Sequence, residues 1–289
     1  MNRKFKNLKT YKSFISAFFC SLLFILSFST PAVSQNIYSG IIKDKTTEEP
    51  LPYVNIGIVK KGVGTVSTFE GKFSLELNES YATDTLRISS IGYEAKNIVV
   101  KDFKKILQGK SILYLSPEIT ELDEVVVTNR RLKKKVLGNK TTSKSIVAGF
   151  SSNKLGNEVG ILVKIKRSPT FIRKFSVSIA NNNFDHLKFR LNMYDLEDGL
   201  PGKSLLKENI IIESDAQEGV LEIDLEDYNI IARDNFVISL EWIEDLGGKD
   251  GLTFSASFFG NDLFVRSVSQ DSWEKIGIVS PGMTVTVEY

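Results

Sequence analysis

The chain has 289 residues, with 37 Lys and Arg against 35 Asp and Glu, one histidine and one cysteine. A single histidine excludes a multi-histidine metal centre, and a single cysteine excludes an intrachain disulfide. The near balance of charge removes the bulk electrostatic case for a nucleic-acid partner.

At the start, Arg3, Lys4, Lys6, Lys9 and Lys12 precede an apolar run over residues 14–28 with no acidic residue before it, the layout of an export leader. Ser16, Ser21 and Ser27 interrupt the run, which is shorter than the ~20 apolar residues a spanning helix needs. Ala32 and Ser34 provide the small side chains that cleavage between Ser34 and Gln35 requires. Residues 1–34 are therefore expected to be a signal peptide, and Cys20 leaves with them. The mature chain keeps 32 basic and 35 acidic residues, a net charge of −3, and is expected to carry no transmembrane helix. Its expected location is the periplasm or the outer-membrane or cell surface.

From Asn36 onward the apolar residues alternate, as in Val54, Ile56 and Ile58 or Phe73, Leu75 and Leu77. That is the period of a half-buried strand. Turn residues at Gly62, Gly71 and Gly92 separate about seven short strands, which describes a small sandwich over residues 35–128. Only residues 102–108 read as a helical turn. The basic stretch Asn129-Arg130-Arg131-Leu132-Lys133-Lys134-Lys135 lacks periodicity and is expected to open a linker over residues 129–140.

Residues 141–289 alternate more cleanly still: Leu187, Phe189, Leu191 and Met193; Phe236, Ile238, Leu240 and Trp242; Met283, Val285 and Val287. The intervening positions, Lys188, Arg190 and Asn192 among them, predict a solvated outer face, as antiparallel sheets commonly have. Nine or ten strands in this length predict a larger, jelly-roll-like sandwich. The expected fold class is all-β, with two β-sandwich domains.

The first of these resembles the carboxypeptidase regulatory-like domain. The likeness rests on Gly40-Ile41-Ile42-Lys43-Asp44, Glu49-Pro50-Leu51-Pro52-Tyr53-Val54-Asn55-Ile56, Gly64-Thr65, Gly71-Lys72-Phe73-Ser74-Leu75 and Ser90-Ile91-Gly92-Tyr93, spread over residues 37–116. It implies a transthyretin-like seven-strand Greek-key sandwich and no catalytic group. Where the family places Asp or Asn before the turn glycine, this chain has Glu70. The family often precedes TonB-dependent receptors of the outer membrane, and Leu122-Asp123-Glu124-Val125-Val126-Val127-Thr128 resembles the lead into a receptor plug. Only 161 residues follow Thr128, against the ~220 that a 22-strand barrel needs at ~10 residues per strand.

No catalytic set emerges. His186, beside Asp185, has no Gly-x-Ser-x-Gly nucleophile elbow to serve. Glu222, Asp224 and Glu226 share one strand face, but the apolar face opposite identifies theirs as the wet one. Asp195-Leu196-Glu197-Asp198-Gly199 offers oxygen ligands without the alternate spacing of a calcium loop, so no metal and no cofactor are expected. The candidate binding residues are Trp273, in a polar loop without alternating neighbours, and Tyr194, at the end of a strand, with Asn181 and Asp185 as polar companions for aromatic stacking on a ligand. The expected function is that of a non-catalytic, exported cell-envelope scaffold or binding module whose partner is an envelope or outer-membrane protein. A carbohydrate-binding accessory protein that takes a glycan is the alternative, and a hydrolase a distant one.

Overall fold

In a computed structural model the chain is described over residues 35–109, 111–118, 132–150, 152–247 and 251–289. The leader with Cys20 and the segment 122–128 lie outside these residues.

The first sandwich contains β1 (Gln35–Asp44), β2 (Asn55–Ile58), β3 (Val63–Val66), β4 (Lys72–Asn78), β5 (Thr85–Ser89), β6 (Lys96–Val99), helix α1 (Val100–Gly109) and β7 (Ile112–Leu115). Its sheets run β4-β1-β7 and β3-β2-β5-β6, with β1 and β7 parallel. The alternation of β4 resolves as read: Phe73, Leu75 and Leu77 face inward and the residues between them outward. Gly71, at φ 70°, turns the chain into β4, and a Cβ there would lie 2.6 Å from the Ile42 carbonyl oxygen. Glu70, the residue that departs from the family pattern, still caps this turn, since its carboxylate accepts the Thr68 hydroxyl at 2.9 Å.

The helical turn expected at 102–108 is a ten-residue helix. Val100, Phe103, Lys104 and Leu107 make its buried stripe at the i, i+3, i+4, i+7 spacing. Burial of Phe103 alone supplies ~2–3 kcal/mol, and Lys104 reaches Glu79 at 2.7 Å.

The second sandwich contains β8 (Lys134–Gly138), β9 (Val147–Gly149), β10 (Glu158–Val163), β11 (Thr170–Asn181), β12 (Leu187–Glu197), β13 (Leu200–Ser204), β14 (Ile210–Ser214) and β15 (Gly219–Asp224). It continues with β16 (Ile231–Ala232), β17 (Phe236–Trp242), β18 (Thr253–Phe258), β19 (Leu263–Arg266), β20 (Glu274–Ile276), β21 (Val279–Pro281) and β22 (Met283–Glu288). The strands are more numerous than the nine or ten expected, because short strands such as β9, β13, β16, β20 and β21 stand between the alternating runs, each of which forms a single strand. One sheet runs β13-β12-β17-β10-β19-β20, with β14 also on β12. The facing sheet runs β21-β18-β11-β22-β8, with β15 and β16 on β11 and β9 on β18. Phe175, Val177, Phe189, Ile238, Trp242 and Val285 are among the residues buried between them, and Trp242 meets Phe150, Phe184 and Phe189 edge-on.

Part of the expected linker is thus structural. Residues 134–138 form an edge strand that pairs with β22 from Thr284 to Glu288. Its lysines concealed it in the sequence, although charged side chains are how an edge strand avoids pairing with another chain.

Candidate functional site

The outer face of the β12-β17-β10-β19 sheet departs most from expectation. It was predicted to be wet, yet Glu158, Arg190, Asn192, Ser239, Glu241 and Arg266 on it are all buried. Strand register sets four of them in one transverse row: Arg190 opposite Glu241, Glu241 opposite Glu158, and Glu158 opposite Arg266. The charges read plus, minus, minus, plus. Two carboxylates directly opposite would repel, so each requires its flanking arginine.

Arg190 donates from Nε and Nη2 to Glu241 Oε2, at 2.9 and 2.7 Å. Asn192 bridges the two acids, donating to Glu241 Oε2 at 2.8 Å and to Glu158 Oε1 at 2.9 Å. Glu158 also accepts from Ser239 at 2.5 Å and pairs with Arg266. Burial would raise the Glu241 pKa, but Arg190 and Arg266 outweigh it and hold the carboxyl below the usual glutamate range. Burial likewise opposes charge on Arg266, and Glu158, Tyr194 and Glu241 together push its pKa still higher. A carboxylate fixed in its ionised form between guanidinium groups and shut off from water is a poor proton acceptor. The row ties β12, β17, β10 and β19 together across the sheet.

The two ends of the row are closed differently. At the Arg190 end the first sandwich is the lid: Nη1 donates to the Tyr53 carbonyl at 2.6 Å and Nη2 to Asn55 Oδ1 at 2.7 Å. Tyr53 is left-handed, with φ 54°, and its ring packs with Val66 and Ile243 at the junction. Beside it, Lys60 N–H donates to the Gln270 carbonyl at 2.9 Å, Gly62 N–H to Asp271 at 3.0 Å and the Gln270 amide to Ser89 at 2.8 Å. Gly57 and Gly64 lie flat against the Ser269 carbonyl, where a Cβ on either would collide.

At the Arg266 end the lid is Trp273. Its ring lies 4.7 Å from the Arg266 guanidinium and meets the Tyr194 ring edge-on at 5.7 Å. The Tyr194 hydroxyl lies 3.4 Å from Glu158 Oε2, and burial, with Glu158 next to it, raises its pKa well above the usual value.

The structure therefore brings Tyr194 and Trp273 together, as half-buried neighbours packed against each other and against Arg266. Asn181 and Asp185 lie elsewhere, Asn181 as the last residue of β11 and Asp185 in the connection to β12, and both are exposed. The Asn181 amide donates to Asn183 and to the Gly251 carbonyl at 3.1 and 3.0 Å. From Leu187, where β12 begins, Tyr194 is ~23 Å along the strand at ~3.3 Å per residue, so the four do not form one site. Arg190, Glu241, Glu158 and Arg266 were missed because alternation reports which residues share a face and not what covers it.

The other chemical candidates resolve simply. Glu222 pairs with Lys174 at 2.9 Å, which lowers its pKa, and His186 is exposed just before β12. Asp198 and Gly199, both at positive φ, form a two-residue hairpin turn, and Asp195 accepts the Lys203 N–H at 2.6 Å. Among the described residues no cluster of three His, Cys, Asp or Glu side chains is arranged to hold a metal, and no helix is long and apolar enough to cross a membrane. An open cleft of about 600 Å³ lies beside the β12–β13 hairpin, lined in part by Lys166, Arg167, Arg233, Asp195 and Asp234.

The seven strands and the motif residues within them agree with one known domain. Residues 38–127 match the CarboxypepD_reg-like domain. Two segments that carried the resemblance meet in this CarboxypepD_reg-like sandwich: the Tyr93 hydroxyl donates to Asp44 Oδ2 at 2.9 Å, while Asp44 Oδ1 caps the N–H groups of Thr46 and Thr47. A third segment, with Tyr53 and Asn55, supplies the contacts to Arg190. The second sandwich lies outside the match, and no curated protein matches the chain.

Proposed function

We propose that the chain is a non-catalytic, exported cell-envelope protein in which a CarboxypepD_reg-like domain and a larger sandwich act as one rigid binding module for an envelope or outer-membrane partner. The observation that carries this reading is the bonding of Arg190 across the junction to Tyr53 and Asn55. A guanidinium buried at such a junction is stable only while both sandwiches enclose it, so the two domains present their surfaces in a fixed relation, as a scaffold must. The basic leader with its apolar run supports export. The ionisable groups of the row pair with one another, Arg190 with Glu241 and Arg266 with Glu158, which supports a structural rather than a catalytic use.

The test is site-specific photo-crosslinking in intact cells, from exposed positions on each sandwich, with the captured proteins identified. Repeated capture of one envelope protein from the same face supports the proposal. A positive glycan array together with no reproducible crosslink overturns it in favour of carbohydrate binding.

A further inference from the structure

Where β18 leads into β19, the second sandwich exposes a compact apolar tip. Phe258 is 55% and Phe259 87% exposed, with ring centroids 6.2 Å apart. Ile278, 62% exposed, stands beside them on the β20–β21 turn, and its carbonyl accepts the Phe259 N–H at 3.0 Å. Two loops thus build one tip. Phe259 also has φ 57°, a left-handed conformation that a bulky side chain rarely adopts and that glycine or asparagine would take without strain. The backbone is strained to hold outward a ring that buries almost nothing within the chain.

Basic residues follow closely in the chain on the segments that fasten this tip. The Asn261 amide donates to the Leu162 carbonyl at 2.8 Å and Leu162 N–H to the Asp262 carbonyl at 2.9 Å, which fastens the tip to the end of β10. From there the chain runs on as Lys164-Ile165-Lys166-Arg167, and all three cations are exposed. On another side the Asn139 amide spans Ser257 and the Ser280 carbonyl at 2.9 and 2.7 Å, and the next residue is the exposed Lys140. None of Lys140, Lys164, Lys166 and Arg167 makes an ion pair among the described residues, although the Arg167 guanidinium also lies 5.7 Å from the centre of the Tyr289 ring. The nearby acids are engaged or few: Asp262 pairs with Lys275 at 2.9 Å, Asp195 accepts the Lys203 N–H, and Asp234 lies in the cleft beside Arg233.

We infer that this end of the second sandwich docks on a bilayer of anionic phospholipid, with Phe258, Phe259 and Ile278 entering the interface and the four flanking cations meeting the headgroups. Aromatic and aliphatic side chains gain from the acyl boundary, and each nearby Lys or Arg adds attraction to an anionic surface. The charge pattern favours lipid over a second copy of the chain, because two copies meeting tip to tip would bring like charges together. The inference rests on the envelope role proposed above and names the surface that would serve it.

The test uses the chain from Gln35 onward, which contains both hydrophobic cores complete, sedimented with vesicles of phosphatidylglycerol and phosphatidylethanolamine or of phosphatidylcholine alone. Binding to the anionic vesicles is expected to be about tenfold tighter than to phosphatidylcholine. Phe259→Asn, which suits the left-handed backbone, is expected to weaken binding about tenfold without lowering the melting temperature. A Lys166→Glu/Arg167→Glu variant is expected to lose the preference for anionic lipid. Failure of the unaltered chain to sediment with vesicles, equal binding by Phe259→Asn, or a dimer in sedimentation velocity that Phe259→Asn abolishes would each overturn the inference. None of these outcomes alters the crosslinking result on which the envelope role depends.

Discussion

Arg190 and Glu241 lie directly opposite each other on neighbouring strands, and two guanidinium nitrogens of Arg190 bond a single carboxylate oxygen of Glu241. Both side chains are buried, so neither charge has water as an alternative partner. Replacing one of them strands the other, which costs ~3–5 kcal/mol, whereas replacing both by apolar residues of similar volume is often nearly neutral. Arg190→Met is therefore expected to lower the unfolding free energy by that amount in urea melts, and Arg190→Met/Glu241→Met to recover most of it. A single variant within 1 kcal/mol of the parent would show that the pair is not what holds the row.

The same carboxylate sets an acid limit. The folded-state pKa of Glu241 lies below the ordinary value of 4.5 because Arg190 and Arg266 outweigh its burial. Its contribution is then complete above pH ~4.5 and is lost as pH falls through the lower folded value. Melting temperatures measured from pH 6 down to pH 3 should fall most steeply below pH ~4.5, and Glu241→Gln should make that fall shallower while lowering stability at neutral pH.

Tyr93 sets a limit at the alkaline end. Partial burial, with Asp44 accepting its proton, raises its pKa from 10.0 to about 12. A group raised on folding contributes stability below its unfolded pKa and loses it as pH climbs through the folded one, here between pH ~10 and ~12. Absorbance titration near 295 nm should show one tyrosinate signal close to pH 12 that disappears in Tyr93→Phe. The variant should cost about 1 kcal/mol at neutral pH for the lost hydrogen bond.

The junction between the sandwiches depends on bare backbone. Gly64 has no room for a Cβ beside the Ser269 carbonyl, so Gly64→Val should force the domains apart at a cost of ~1–3 kcal/mol. Calorimetry is expected to show one transition for the parent and two for the variant, since neither main core includes Gly64. A single unshifted transition would mean that the two sandwiches are not energetically coupled.

Removal of residues 283–289 deletes β22, which lies between β11 and β8 and buries Met283, Val285 and Val287. The truncated chain is expected to lose the cooperative melt of the second sandwich in circular dichroism. A melt like that of the full chain would contradict the pairing of β22.

The cores were legible in the sequence because period-two alternation follows directly from strand geometry. Phe189, Leu191 and Met193 point inward as their spacing requires, and Trp242 is in the core. What alternation does not carry is the environment of the other face. Arg190 and Asn192 have the spacing of solvated residues and become buried only through Tyr53 and Asn55, well over a hundred positions earlier in the chain. The charged row was illegible for the same reason: each strand contributes one unremarked charge, and only register places the four in line. Tyr194 and Trp273 were singled out for their aromatic character, yet the residue that explains their positions is Arg266. Residues 134–138 concealed a strand behind lysines, since composition says nothing about whether an edge is paired.

The parallel pairing of β1 with β7 also has a mechanical meaning. The chain enters the first sandwich at the Gln35 end of β1 and leaves β7 at Leu115, which aligns with Asp44 at the opposite end of β1. Tension applied between an anchor on the N-terminal side and a load on the C-terminal side would thus act along both strands in shear. The bonds from Ile41 to Asp44 would have to yield together rather than peel one at a time. In this first sandwich, the strands through which the chain enters and leaves are joined in the geometry that best resists being pulled apart.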